Sequence, residues 1–304
     1  MQTIVIAGCG YLGMKVAGKL IRAHHYQPDK ILALVSSQNS AQSCRQKGLS
    51  CLAFDLDNVS EAAQPAQLCK AFNKNRPVVF YFIPPPPQGE KDTRAEQFIN
   101  VLSSLSRSHD TELPAKIVLV STTGVYGHCH GQWVDETTPL NPQADRAKRR
   151  VDAEQQFQAY CDSLQIPLVI LRVAGIYAAD KLPEQRLRAL KPIVREEDSP
   201  YSNRIHADDL VAICIKAAEN ASITGIYNCA DGHPTTMYDY FMSVAHFCQL
   251  AEPPVISLAQ ARTRLSAGML SYMDESRRID NNKLLKDFNI RLQYPSIDQG
   301  LASK

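Results

Sequence analysis

No apolar run in this sequence approaches the roughly 18 residues that a membrane-crossing helix needs, so no membrane partner is expected. Charge of one sign is lacking too: 33 Lys and Arg face 31 Asp and Glu, a formal net charge of +2. That balance gives no field to draw in nucleic acid or an anionic surface. CxxC pairs are absent, although nine cysteines are scattered from Cys9 to Cys248. An odd count without a spacing framework fits free thiols in a reducing, cytoplasmic compartment. His128-Cys129-His130 groups three metal-ligand types, but consecutive ligands rarely close a tetrahedron and no second cluster follows. It reads as loop, and no metal site is expected. The opening MQTIVIAG is too short and too uncharged for a signal peptide and reads as a strand.

What is present is alternation. TIVIAG (3–8), ILALVSS (31–37), CLAFDL (51–56), VVFYFI (78–83), AKIVLVST (115–122) and PLVILRV (167–173) are apolar on both faces, as buried parallel strands are. Helical spacing separates them in GMKVAGKLIRAHH, SEAAQPAQLCKAFNK, TRAEQFINVLSSLSRSH and AKRRVDAEQQFQAYCDSLQ. Such order predicts an α/β fold, a Rossmann-type doubly wound parallel sheet, with a small C-terminal substrate lobe. Residues 1–175 form the nucleotide-binding domain, which also receives 205–232, and residues 176–204 and 233–304 form the lobe. PPPP at 84–87 ends the fourth strand rigidly.

The first strand runs into Gly8-Cys9-Gly10-Tyr11-Leu12-Gly13, and a helix follows. In that context GxGxxG points to dinucleotide binding: a tight turn, a close approach of pyrophosphate to backbone, and close helix–strand packing. The helix N-terminus then offers free N–H groups to phosphate. The second strand ends Val35-Ser36-Ser37-Gln38, without the carboxylate that would bond the ribose 2′-hydroxyl of NAD. Two hydroxyls and no repelling charge lean towards NADP over NAD, with Arg45 as a later cation. Asp55, ending the third strand, is either an adenine contact or a turn aspartate.

STTGVYG (121–127), WVDETTPLNP (133–142), LRVAGIY (171–177), RIHADDL (204–210), GIYNCADG (225–232) and YPSIDQGL follow one another along the chain. In that order they resemble the extended short-chain dehydrogenases/reductases, the NAD-dependent epimerase/dehydratase family. Within it the sequence is most similar to the atypical nucleoside-diphosphate-sugar epimerase branch. The resemblance implies a nicotinamide cofactor and a nucleotide-sugar or similar anionic substrate. It gives Thr122 the hydroxyl that binds the reacting oxygen, a role a strand-end threonine bonding its own backbone would not have. Tyr126 and Tyr177 are implied to shape the substrate pocket.

Family chemistry also needs a tyrosine and, one helical turn later, a lysine that lowers its pKa and holds the nicotinamide ribose. PQADRAKRRVDAEQ (142–155) has no tyrosine. If Lys148 is the family lysine, Ala144 stands at the tyrosine position; aligning Ala153-Glu154-Gln155 instead places Arg146 and Arg150 there, and the second register fits the spacing better. Arginine cannot be a general base, but Arg150 could hold ribose or phosphate and Arg146 could polarise a carbonyl. Asp145, Lys148, Tyr126 and Tyr177 are the substitutes for acid/base work.

Where the family carries an arginine for the substrate diphosphate stands Ser202, with Arg204 two residues on and thus on the same face of an extended strand. Arg204 either takes over that grip or is a surface residue paired with Asp208 or Asp209. Arg186, Arg188 and Lys191 form a basic group that suits an anionic ligand or a solvated face. Two functions remain open: an NAD(P)-dependent epimerase, dehydratase or reductase, or a non-catalytic NADP(H)-binding sensor or regulator. The resemblance further implies a homodimer through the helices at 91–109 and 147–164.

Overall fold

The structure, a computed structural model, describes residues 2–58, 66–106 and 111–302. Strand β1 (Ile4–Ala7) leads into helix α1 (Tyr11–Ala23), β2 (Ile31–Val35) into α2 (Gln38–Gln46), and β3 (Ser50–Ala53) follows. Next come α3 (Ala66–Phe72), β4 (Val78–Tyr81), α4 (Thr93–Ser106), β5 (Lys116–Thr122) and α5 (Asp145–Leu164). Strands at Leu168–Val173 and Gly225–Cys229 complete a seven-stranded sheet. Its order is Gly225–Cys229, Leu168–Val173, β5, β4, β1, β2, β3. The pairs β1–β2, β2–β3, β1–β4 and β4–β5 are parallel.

This is the doubly wound parallel sheet expected from the alternation. Every residue of β1, β2 and β4 is buried, which is why these runs are apolar throughout rather than alternating. On one face Val5, Ala7, Leu34, Val79 and Tyr81 pack against Phe98 of α4 and Phe157 of α5. The Tyr81 ring lies 4.7 Å from Phe157 and 5.3 Å from Phe98. The chain order reverses between β1 and β4, and in such sheets ligands bind outside the carboxyl ends of the strands at that switch.

Strand ends differ from the sequence expectation where a cap or a proline intervenes. The second strand stops at Val35 because Ser37 turns to cap α2. The fourth stops at Tyr81, three residues before Pro84. The first half of the helix expected from residue 60, and the end of the one expected to 109, lie outside the described residues.

By their contacts residues 1–121, 145–171 and 211–226 form one unit, and residues 122–144, 172–210 and 227–304 a second. In the first unit the ammonium of Lys116, 4% exposed, donates to the carbonyls of Ala217, Asn220 and Ile223. It thereby closes the C-terminal end of the helix Ala207–Glu219, a place where a cation is favoured. The second unit is built on two- and three-residue strand pairs: Gly175–Tyr177 with Arg204–His206, Tyr201–Ser202 with Thr235–Thr236, and Trp133–Val134 with Arg278–Ile279. The helix Met237–Phe247, opened by a Thr236/Asp239 capping box, buries Tyr240, Phe241 and Val244 against Tyr177, Ile193, Ile297 and Leu301. Among the described residues no helix is long and apolar enough to cross a membrane. No three His, Cys, Asp or Glu side chains among them are placed to hold a metal.

Candidate functional site

The turn from β1 into α1 is one that only glycine can make. Gly8 has φ +90°, and a Cβ there would lie 2.6 Å from the Ile83 nitrogen, on the chain leaving β4. Its N–H and that of Cys9 both donate to the Leu34 carbonyl at 3.0 Å, which ties the loop to the end of β2. Gly13 brings α1 onto the strand, where a Cβ would sit 3.0 Å from the Gly8 oxygen and from Ile6. Around Gly10, by contrast, nothing lies within 4 Å of a Cβ position. Gly10 caps α1 without a side-chain bond, and no acidic residue stands in the first turn. No carboxylate of the helix's own first turn competes for the N–H groups at this end, and phosphate could take them. Leu12 is buried and Tyr11 half-buried beside Lys15, whose ammonium lies 5.3 Å from the ring centre.

At the end of β2 both serines are exposed, but Ser37 is committed to α2: its oxygen accepts from the Ser40 N–H at 3.2 Å. Arg45 does not reach them, because its Nε and Nη2 both donate to the Cys51 carbonyl, at 3.2 and 2.9 Å. Of the two roles considered for Asp55, the structure displays the turn: its oxygens accept from the Asp57 N–H at 3.1 Å and the Asn58 amide at 2.8 Å.

The basic run of α5 clasps the proline segment. Arg150 Nη1 donates to the Ile83 carbonyl at 3.1 Å, Arg149 Nη1 to the Gly89 carbonyl, and Lys148 pairs with Glu90. From α4, Arg94 forks onto Asp57 and also bonds the carbonyls of Pro84 and Pro85, at 3.1 and 3.3 Å. Half-buried Arg150 therefore stands at the carboxyl end of β4, on the residue whose nitrogen crowds Gly8. Burial lowers its pKa, opposed by the carboxyl of Asp92. Lys148 lies two positions away on the helix, turned towards Glu90 and, at 3.5 Å, Asp145, and those partners raise its pKa. Arg146 is half-buried at the first turn.

In the second unit Thr122 ends β5 and caps the turn Thr123–Tyr126, its oxygen accepting from the Gly124 N–H at 3.1 Å. Its hydroxyl hydrogen has no acceptor among the described residues. Tyr126 is not a pocket wall as it stands: it is fully buried, donating to Asn228 Oδ1 at 2.8 Å and accepting from Arg172 at 3.0 Å. Burial raises its pKa, with Arg172 opposing. Tyr177 is likewise fully buried, its hydroxyl donating to the Ser296 carbonyl at 3.0 Å. Arg204 is neither exposed nor paired with an aspartate of the following helix. Its guanidinium lies over the Tyr240 ring at 4.0 Å and donates to the Asn203 carbonyl at 3.0 Å. Asp209 instead receives the N–H groups of Gln293 and Tyr294, at 2.8 and 2.9 Å, which fastens the tail.

Residues 4–230 match the model of the NAD dependent epimerase/dehydratase family. The chain belongs to that family. Human dTDP-D-glucose 4,6-dehydratase is 30% identical over 142 residues, which are 43% of this chain and 40% of that enzyme. A conserved protein of unknown function from Silicibacter pomeroyi is similar over 100% of this chain and 98% of its own, with 24% identity and a TM-score of 0.79. The dTDP-glucose 4,6-dehydratase of Bacillus anthracis, solved with NAD, is 14% identical with a TM-score of 0.74, covering 99% of this chain and 94% of its own.

Within family segments quoted from the sequence, the structure reveals polar residues that spacing did not single out. Ser121 donates to the buried carboxylate of Glu154, fixing α5 to the end of β5. Glu136 accepts from the Asn228 N–H at 2.7 Å, beside the buried Tyr126–Asn228–Arg172 chain. No local signal marked them among the other polar residues of STTGVYG and WVDETTPLNP, and the partner lies 33 or 92 residues away.

Proposed function

We propose that this protein binds NAD(P) on Gly8, Gly10, Tyr11, Leu12 and Gly13 and acts as an epimerase, dehydratase or reductase on a nucleotide-sugar or a similar anionic metabolite. The observation that carries this is the uncapped amino end of α1 behind a glycine-only turn, with open space at Gly10. Between cofactors, exposed Ser36 presents a hydroxyl and no carboxylate stands beside it, which favours NADP, while Ser37 is taken up by the cap of α2; the solved B. anthracis dehydratase holds NAD.

When bound, the nicotinamide supplies or accepts the hydride. Arg150, beside Gly8 through Ile83, takes the lysine's part of holding ribose or phosphate, and Lys148 is set aside to its ion pairs. Arg146 is assigned the polarising of a substrate carbonyl, and the Thr122 hydroxyl the binding of the reacting oxygen that the family resemblance implies. A guanidinium steadies an oxyanion without taking a proton, so these residues favour carbonyl reduction, with water completing the proton balance. Pairing of two copies through α4 and α5 belongs to the same proposal.

A non-catalytic NADP(H) sensor is the second reading. It is favoured by one observation: Tyr126 and Tyr177 are buried and bonded, and Lys148 and Asp145 are ion-paired, so each substitute for the missing phenol is engaged. Steady-state assays with NADPH against a panel of nucleotide-sugars and their 4-keto forms separate the two. Turnover that falls about 100-fold in Thr122→Ala supports the enzyme. Tight cofactor binding with no turnover on any member supports the sensor.

A further inference from the structure

We propose that the second unit carries a separate binding site for a nucleoside phosphate, built on Trp133, Tyr201 and Arg278. Trp133 is the only tryptophan of the sequence, and it is 51% exposed; Tyr201 is 39% exposed. A single exposed ring is ordinary, but two of them gathered about one guanidinium form a patch of the kind that marks a binding surface. The strand Trp133–Val134 pairs in parallel with Arg278–Ile279, which sets Arg278 directly beside the indole. Its guanidinium carbon lies 5.4 Å from the Trp133 ring centre and 5.0 Å from that of Tyr201. Its Nε donates to the Gly131 carbonyl at 2.7 Å. The guanidinium is therefore held by two rings and a carbonyl, while its two terminal nitrogens have no hydrogen-bond partner among the described residues.

Gly131 is the hub of this surface. Its φ is +72°, and a Cβ there would lie 3.1 Å from the Tyr201 ring, so no side chain separates the ring from the loop. The preceding His130 is exposed and sits 3.1 Å from His128 Nε2. His128 Nδ1 accepts from the Ser276 N–H at 3.1 Å, so in the neutral ring the proton is on Nε2 and is donated to His130 Nδ1. His130 then carries its own proton on Nε2, as a further donor. Of the acidic residues in the flanking segments, Glu275 pairs with Arg277 at 2.9 Å, and Asp135 accepts from Thr137 and Thr138.

This surface is distinct from the place where the family's diphosphate arginine is expected. That place is Ser202, and along a strand Tyr201 and Ser202 point to opposite faces. The chemistry selects the ligand. A planar base stacks on exposed indole and phenol rings, and a phosphate takes the fork of a fixed guanidinium. A sugar would have no use for the cation, nor a bare phosphate for the rings. With a net charge of +2 there is no basic stripe to follow a polynucleotide, so a mononucleotide is the better fit.

The single tryptophan makes the test direct, because intrinsic indole fluorescence of the full chain reports on this surface alone. Uridine diphosphate and adenosine diphosphate are expected to quench it saturably, and uridine or pyrophosphate alone to bind about tenfold more weakly or worse. Arg278→Gln should weaken the diphosphate at least about tenfold with an unchanged melting temperature, and Arg278→Lys should recover only part. Calorimetry on Trp133→Phe reads binding without the reporter and should show a smaller loss. In Gly10→Val, whose lesion is in the α1 loop, quenching should persist, which separates failure here from failure of the dinucleotide reading. No quenching at millimolar ligand, equal quenching in Arg278→Gln, or an oligouridylate binding about tenfold tighter than the diphosphate would each overturn the proposal.

Discussion

At Gly8 a single missing Cβ decides whether the first strand can turn into its helix. Alanine there would need φ +90° and would press on the Ile83 nitrogen at 2.6 Å. Gly8→Ala should cost more than about 1 kcal/mol and abolish cofactor binding, read by thermal denaturation and calorimetry together. Asp231 offers a pH test. It is 4% exposed, its Oδ1 accepts from the His233 N–H, and its Oδ2 has no hydrogen-bond partner among the described residues. Burial pushes its pKa up to about 7, with Arg204 opposing and Asp209 adding to the rise. Between the ordinary value of about 3.9 and that of the fold, the native state holds a proton that the unfolded chain has lost. Stability should therefore fall as pH rises through that window, by at most about 1.4 kcal/mol per unit, and reach its floor above 7. Asp231→Asn removes the slope. Its melting-temperature advantage over the wild type should grow from pH 5 to pH 8; a constant difference would refute the buried carboxyl as its source.

At the scale of elements, α5 shows what the sequence could and could not tell. Its position, its helical period and the absence of a tyrosine between 142 and 155 were legible. The use of its charges was not, because Lys148, Arg149 and Arg150 find their partners 58, 60 and 67 residues away, and periodicity carries no information about such distances. A run that looked like a modified catalytic pair also staples the segment after β4. The burial of each residue sets its weight. Arg149, 6% exposed and bonded to the Gly89 carbonyl, should cost about 2 kcal/mol on replacement by alanine, whereas Lys148→Ala, which breaks an exposed ion pair, should cost clearly less. Urea denaturation of the two variants checks the order, and equal losses would contradict it.

Across the whole molecule the large sheet was readable because its strands are apolar on both faces and alternate with helices at regular spacing. The second unit was not, since pairs such as Trp133–Val134 with Arg278–Ile279 are two residues long and join segments some 145 apart. Tyr126 and Tyr177 illustrate the same limit: family motifs located them, but only packing revealed that both phenols are buried and bonded. The glycine loop is the opposite case, for Gly8 and Gly13 each have a local geometric reason and Gly10 leaves the space beside it open. Calorimetric titration of the intact chain with NADPH and with NADH tests that loop most directly. Micromolar binding of NADPH, weaker binding of NADH, and loss of both in Gly8→Ala are predicted; a folded wild-type chain that binds neither would contradict the dinucleotide site and the enzyme built on it.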